Sequence, residues 1–255
     1  MLVRVLGPFE VDGGDGPVAL AGASQRAILA ALALRAGRPV GVPELVDVLW
    51  PEDPPPSARN TLQSHVARLR ARLGRPGLIT RDPAGYRLNL PRSAVDALLF
   101  EDLLRDDRGE AVALWRGAPL PEFPGEPFRG IAARLVTLYR AALVRHAGSL
   151  IAAGRPADAA AELHPAADAD PCWEDGSITL AAALAAAGCR GDALEALRRH
   201  ADAVVDQLGI DPSDEVRRAQ LALLRGEPLS APHTPGCTPS TASIRSSAGK
   251  VITLR

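Results

Sequence analysis

Aromatic side chains make up only 4% of this 255-residue sequence, and Lys250 is the one lysine among 29 basic residues. So few aromatics, in a chain dominated by alanine and leucine, favour helix. The arginine bias reflects GC-rich coding more than chemistry. Cysteine is sparse too. Cys172, Cys189 and Cys237 are odd in number and without CxxC spacing, so they signal neither a disulfide framework nor a zinc site. Thiols of a reducing cytosol are the expectation. No stretch approaches 18 uncharged apolar residues, which argues against a membrane-spanning helix. No basic n-region followed by an apolar h-region stands at the N-terminus, so no secretion signal is expected. Catalytic motifs are missing as well: there is no GxSxG, HExxH or GxGxxG. Gly249-Lys250 lacks the earlier glycine of a P-loop, and Val251 stands where serine or threonine is needed. No enzyme activity, cofactor or metal is therefore expected.

What is present is an uneven distribution of charge. The chain is nearly neutral, with 29 Lys+Arg against 30 Asp+Glu. Yet residues 1–95 carry 12 arginines and 8 acids, and residues 57–92 carry 8 arginines and one acid, Asp82. The remainder is net acidic. A basic front and an acidic back suggest two domains with different partners. The stretch SARNTLQSHVARLRARLG, residues 57–74, holds four arginines and a histidine but no acid. Solvated helix faces usually mix signs, because opposite charges at i,i+4 support each other. A run of one sign is better explained by an acidic partner.

In the front half, LVRVLGPFEV reads as short strands broken at Gly7-Pro8. SQRAILAALALRAG reads as a buried helix with Ser24 as N-cap and Gly37 as stop. VPELVDVLW follows as a helix with Pro43 in its first turn, and PEDPPP forms a rigid connector. Ser57 then caps a helix in which Leu62, Val66, Leu69 and Leu73 fall within about 60° of one face. Asn60, Thr61, Ser64, Ala67, Arg68 and Ala71 lie opposite. Gln63 and Arg70 flank one side, and His65 and Arg72 the other. Small residues permit close approach, Asn and Arg can read base edges, and flanking arginines can hold phosphates. The layout suits a helix in the major groove of double-stranded DNA. Arg68 and Ser64 are expected to read bases, with Arg59, Arg70 and Arg72 on phosphates. His65 has no second ligand at metal spacing and reads as surface or phosphate contact. LITRDPAGYRLNL completes the unit as a β-hairpin that places Arg81 and Arg87 near a wing.

From Val95 onward the pattern is helical. VDALLFEDLL and GEAVALW read as short helices, and IAARLVTLYRAALVRHAGSLIAAG as a long one. GRPADAAAEL at 154–163 and GCRGDALEAL at 188–197 repeat at a spacing of 34, the tetratricopeptide period. Asp211-Pro212 signals a further helix start. The end, rich in Ser, Thr, Pro and Gly, is expected to be disordered. The fold class is thus an α+β winged helix-turn-helix at 1–93, then an all-α tetratricopeptide-like domain at 94–228 and a tail at 229–255. A helical-repeat interaction scaffold is the alternative class. It would have no need of an arginine-ringed helix within the winged-helix order.

LGPFEV, QRAILAALALRAGRPV, ELVDVLWPEDPPPSARNTLQSHVARLRARLG and GYRL resemble, nearly without gaps over residues 1–90, the OmpR-like winged helix of the Streptomyces antibiotic regulatory protein family. ALWRGAPL, RLVTLYRAAL and ALEALRRHADAVVDQLGIDPSDEV resemble the bacterial transcriptional activator domain that follows it. The resemblance implies that the helix at 58–73 enters the major groove and the hairpin at 79–88 reaches the adjacent minor groove. It further implies a cytoplasmic, nucleoid-associated activator of secondary-metabolite genes. Such a protein binds direct repeats as a dimer or tandem oligomer and recruits RNA polymerase holoenzyme. Three departures stand out. Asp82 sits at the wing tip, where relatives often carry a basic residue. DPCWED replaces a more usual helix start, and Leu197 stands at an often aromatic position, so Trp173 and Leu197 read as core substitutions.

Overall fold

The computed structural model describes residues 1–20, 22–106 and 108–229; Cys237, Lys250 and the expected disordered tail from residue 230 on lie outside the described residues. β1 (Leu2–Arg4) and β2 (Glu10–Asp12) form an antiparallel pair with Val3 opposite Val11. α1 (Ala23–Ala33), β3 (Pro39–Val40), α2 (Val42–Leu49) and α3 (Ala58–Leu73) follow, then β4 (Ile79–Asp82) and β5 (Gly85–Leu88). β5 lies between β3 and β4 in a three-stranded antiparallel sheet. Beyond it come α4 (Asp96–Arg105), a 3₁₀ turn at Gly109–Leu114, and α5 (Phe128–Ala152). α6 (Pro156–Ala169), α7 (Glu174–Ala186), α8 (Arg190–Leu208) and α9 (Asp214–Arg225) complete the described chain.

The winged-helix order and the helical back half are as the sequence predicts, with local corrections. α1 begins at Ala23, so Gly22, not Ser24, holds the cap position, and Ser57 makes no side-chain cap bond to α3. α1 ends at Ala33. Gly37 acts one step later: at φ +79° it donates its N–H to the Leu88 carbonyl at 2.9 Å and ties the helix exit to β5. GEAVALW is a 3₁₀ turn, not an α-helix. At the last helix the cap is Ser213, whose Oγ accepts from the Val216 N–H at 3.2 Å.

The 34-residue repeat is legible in three dimensions. Gly154 and Gly188 both take left-handed φ after their helices, at +76° and +85°. Ala159, Leu163, Ala193 and Leu197 are all fully buried. They sit at matching positions of α6 and α8, where small and branched apolar residues let helix pairs pack closely. Leu197 is the core substitution expected of it. Trp173 is only half-buried; its ring lies over Gly176, where an added Cβ would stand 2.2 Å away, and 5.4 Å beneath the Arg140 guanidinium.

Two hydrophobic clusters organise the chain. One holds α1, α2, α3 and the wing, but continues through Val95, Phe100, Ala111, Leu120 and Phe128 to Leu135; the other fills the repeats from Leu143 to Leu223. The first core therefore runs well past residue 93. Asp96 clasps the join. Its carboxylate accepts from the N–H groups of Val5 at 2.7 Å and Leu6 at 3.0 Å. Burial pushes the Asp96 carboxyl up, against the pull of those amides. The stability linked to protonating this raised carboxyl is fully present below the ordinary aspartate pKa and fades as pH rises through the folded value, while the Val5 and Leu6 amides stay bonded to the carboxylate, so acid does not loosen this clasp. Asp96→Ala leaves two inward amides unpaired and should cost about 2–4 kcal/mol. Urea unfolding at neutral pH checks this, and a loss well under 1 kcal/mol would mean that water replaces the carboxylate freely.

Candidate nucleic-acid interface

α3 is amphipathic in a way that separates fold from surface. Leu62 and Leu69 are fully buried, Val66 is 1% exposed and Leu73 8%, all within the first core. The predicted inner face is thus the real one. Asn60, Ser64, Ala67, Arg68 and Ala71 are exposed on the opposite side, while Thr61 and His65 are half-buried. Gly74, left-handed at φ +61°, ends the helix.

The ten expected contact residues divide by what already occupies them. Arg59 and Arg68 are exposed and make no hydrogen bond or ion pair among the described residues. Ser64 turns its hydroxyl back onto the Asn60 carbonyl at 3.1 Å, which leaves its lone pairs to accept. The His65 Nδ1 is buried without a hydrogen-bond partner among the described residues, so the ring is seated against the protein more than a surface reading implies. Arg70 donates Nε to the Ile79 carbonyl at 2.9 Å, and Arg72 donates Nε to the Ala19 carbonyl at 2.8 Å. Both bonds fix the direction of the guanidinium, and no hydrogen bond or ion pair among the described residues occupies its Nη groups.

On the wing, Arg81 is exposed with its guanidinium 4.7 Å from the Tyr86 ring centroid. Arg87 differs from the expectation. It is half-buried and pairs with Asp82 at 2.5 Å, so its charge is met within the hairpin. Asp82 also accepts from the Ala84 N–H at 3.0 Å. That bond, then Arg87, holds the Asp82 carboxyl below the usual aspartate range. The acidic departure at the wing tip therefore shapes the DPAG turn and cancels Arg87. Arg81 is the wing arginine left to meet a partner.

Two residues outside the expected ten belong to this surface. Gln63 is exposed and lines a groove of about 300 Å³ with Arg59 and Arg81, between α3, the start of α2 and the wing. Arg75 donates to the Gly13 carbonyl and so pins the loop after β2 to the end of α3. The charge run over 57–92 contains Arg75, but only the tertiary structure gives it that role. Among the described residues no group of three or more His, Cys, Asp or Glu could hold a metal, and no helix is long and apolar enough to cross a membrane.

Residues 17–88 match the family model "Transcriptional regulatory protein, C terminal", and residues 102–224 match "Bacterial transcriptional activator domain". The transcriptional regulator RedD of Streptomyces coelicolor is 31% identical over 89% of this chain and 71% of its own length. The regulatory protein DnrI of Streptomyces peucetius is 29% identical over 89% of this chain and 93% of its length. The transcriptional regulatory protein EmbR of Mycobacterium tuberculosis is 34% identical over 89% of this chain, which spans 64% of that relative. The structure of Mycobacterium tuberculosis EmbR in complex with a low affinity phosphopeptide superposes with TM-score 0.73 at 33% identity, covering 90% of this chain and 66% of that one. With both domain models matched in this order and these transcriptional regulators similar along nearly its whole length, the chain belongs to the Streptomyces antibiotic regulatory protein family.

Proposed function

We propose that the chain is a sequence-specific activator of transcription that reads duplex DNA with α3 and steadies it with the wing. The observation that carries this reading is the outward face of α3. Arg59 and Arg68, without a partner among the described residues, stand beside exposed Asn60, Ser64 and Ala67, with no acid anywhere in the helix. Arg68 and Ser64 read base edges, Asn60 and Thr61 lie against the groove, and His65 borders it. Arg59, Arg70 and Arg72 hold phosphates, and Arg81 reaches the neighbouring minor groove. Arg87 contributes through the shape of the hairpin.

The net-acidic repeats contact protein, since they repel a phosphate backbone and helical repeats present concave binding surfaces. Their partners are RNA polymerase holoenzyme and a second copy bound head to tail on a direct repeat. Membership of the Streptomyces antibiotic regulatory protein family favours antibiotic-biosynthesis genes as targets.

Arg68→Ala should cost about 1–3 kcal/mol on the specific site and lower the ratio of specific to random binding. Arg72→Ala should weaken all sequences alike and flatten the salt dependence. Gel shifts on a footprinted promoter and on random duplex, with in vitro transcription from that promoter, measure both. An unchanged ratio for Arg68→Ala removes the groove assignment. Absence of any binding at low salt supports the scaffold reading instead. The full chain is the right material, because a cut near Pro91 would strip Val95, Phe100 and Leu135 from the core beneath α3.

A further inference from the structure

Tyr86 carries two guanidinium groups from different elements. Arg81 stands directly across from it in the β4–β5 register, and its guanidinium lies 4.7 Å from the ring centroid. Arg70 comes from α3, and its guanidinium lies 5.9 Å from the same centroid. Arg70 also donates Nε to the Ile79 carbonyl of β4 at 2.9 Å, so it touches both strands of the wing. The ring itself is 4% exposed and belongs to the first core. A buried ring on a paired strand is a fixed platform, and its negative face attracts each cation laid over it.

The charge gathered there is not met within the protein. Arg70 and Arg81 make no ion pair among the described residues, and the nearby Asp82 is taken by Arg87. Between the end of α3 and β4 runs an open groove of about 760 Å³, lined by Arg70, Arg81 and Arg75 with Thr80 and Ile79. No acidic side chain lines it. Arg75 is held by the neutral Gly13 carbonyl, which leaves its charge intact. A groove with three arginines and no acid suits a phosphodiester strand.

We propose that Tyr86 is a positioning residue of the DNA interface. Its ring sets the spacing between Arg70 and Arg81, so α3 and the wing close on one DNA strand as a unit. The phosphates of that strand lie on Arg70 and Arg75, and Arg81 enters the minor groove beside it. The proposal rests on the DNA-binding reading of α3 and the wing, and adds the coupling between them. Tyr86 reads in the sequence as core of the hairpin, and a core role alone would leave the two arginines independent.

The test measures binding of the full chain to random-sequence duplex DNA across a range of salt, at a temperature where circular dichroism shows each variant folded. Arg70→Ala should lower the slope of log affinity against log salt by about one. Tyr86→Leu removes no charge, yet should lower that slope by about one or more, because both arginines lose their seat. A purely structural loss would reduce the binding-competent fraction and leave the slope as it was. The Tyr86 hydroxyl makes no hydrogen bond among the described residues, so Tyr86→Phe keeps the platform and should restore the native slope. Arg70→Ala and Arg81→Ala, both at exposed positions, give a second measurement that needs no change at Tyr86. Combined, they should lose less than the product of their separate losses, by more than about twofold. An unreduced slope in Tyr86→Leu, a reduced slope in Tyr86→Phe, or arginine losses that multiply within about twofold would each overturn the coupling and leave the DNA-binding reading standing. A native chain that binds no duplex at low salt would overturn both.

Discussion

Leu69→Ala should remove about 2–5 kcal/mol of stability, a large share of the roughly 5–15 kcal/mol that holds a typical domain together. Leu69 is fully buried, and it sits between Val66 and Leu73 on the one face of α3 that meets α1 and α2. Removing its branched end leaves a cavity that the helices cannot close without moving α3 and the arginines it carries. Urea unfolding followed by circular dichroism measures the loss. Binding to a specific promoter should fall with the folded fraction, while the unaltered Arg68 preserves the ratio of specific to random binding. A loss under about 1 kcal/mol would mean that α3 is seated loosely on this core.

The second large effect lies in the wing. Gly85 has φ +152°, and a Cβ added there would stand 1.8 Å from the Val40 carbonyl oxygen and 2.9 Å from the Gly41 Cα. Those neighbours are backbone, so nothing flexible can yield. Gly85→Ala must therefore separate β5 from β3, where Val40 pairs with Tyr86. We expect a loss of about 3 kcal/mol or more, from strained backbone and broken pairing together. Arg81 should lose its seat over Tyr86, with DNA affinity falling alongside. Gly77→Ala is the matched control: φ is +78° but the space is open, so only about 1 kcal/mol of conformational cost applies. Thermal melts of both variants decide the matter. If the Gly85 variant melts like the Gly77 one, the close approach of β5 to Val40 does not hold the wing.

Periodicity carried α3 and the repeats, because both signals are dense. Four apolar residues at i, i+4, i+7 and i+11 leave one way to bury a helix, and the 34-residue echo of Gly154 in Gly188 marks the same helix ending twice. Caps were read less well. Ser24 and Ser57 have a suitable chemical type, yet neither makes a side-chain cap bond and Ser213 does, since a cap depends on the turn the chain makes before the helix. GEAVALW has helix-forming composition but winds as a 3₁₀ turn that gives Ala111 to one core and Val112 to the other.

By itself, then, the sequence determined the order of elements, the inner face of α3, the charge imbalance between the halves and the family resemblance. All of these are local or additive along the chain. Only the tertiary structure decided which arginines are free. Arg59 and Arg68 have no partner among the described residues, Arg70 and Arg72 are aimed by the carbonyls of Ile79 and Ala19, and Arg87 is cancelled by Asp82. It likewise carried the first core past residue 93, through Asp96 and Leu135. A guanidinium's availability depends on which carbonyl or carboxylate the fold brings within 3 Å, and a core's boundary on which apolar faces meet. Ala19 and Arg72 lie 53 residues apart, and Asp96 and Val5 lie 91 apart; no pattern along the chain encodes such meetings.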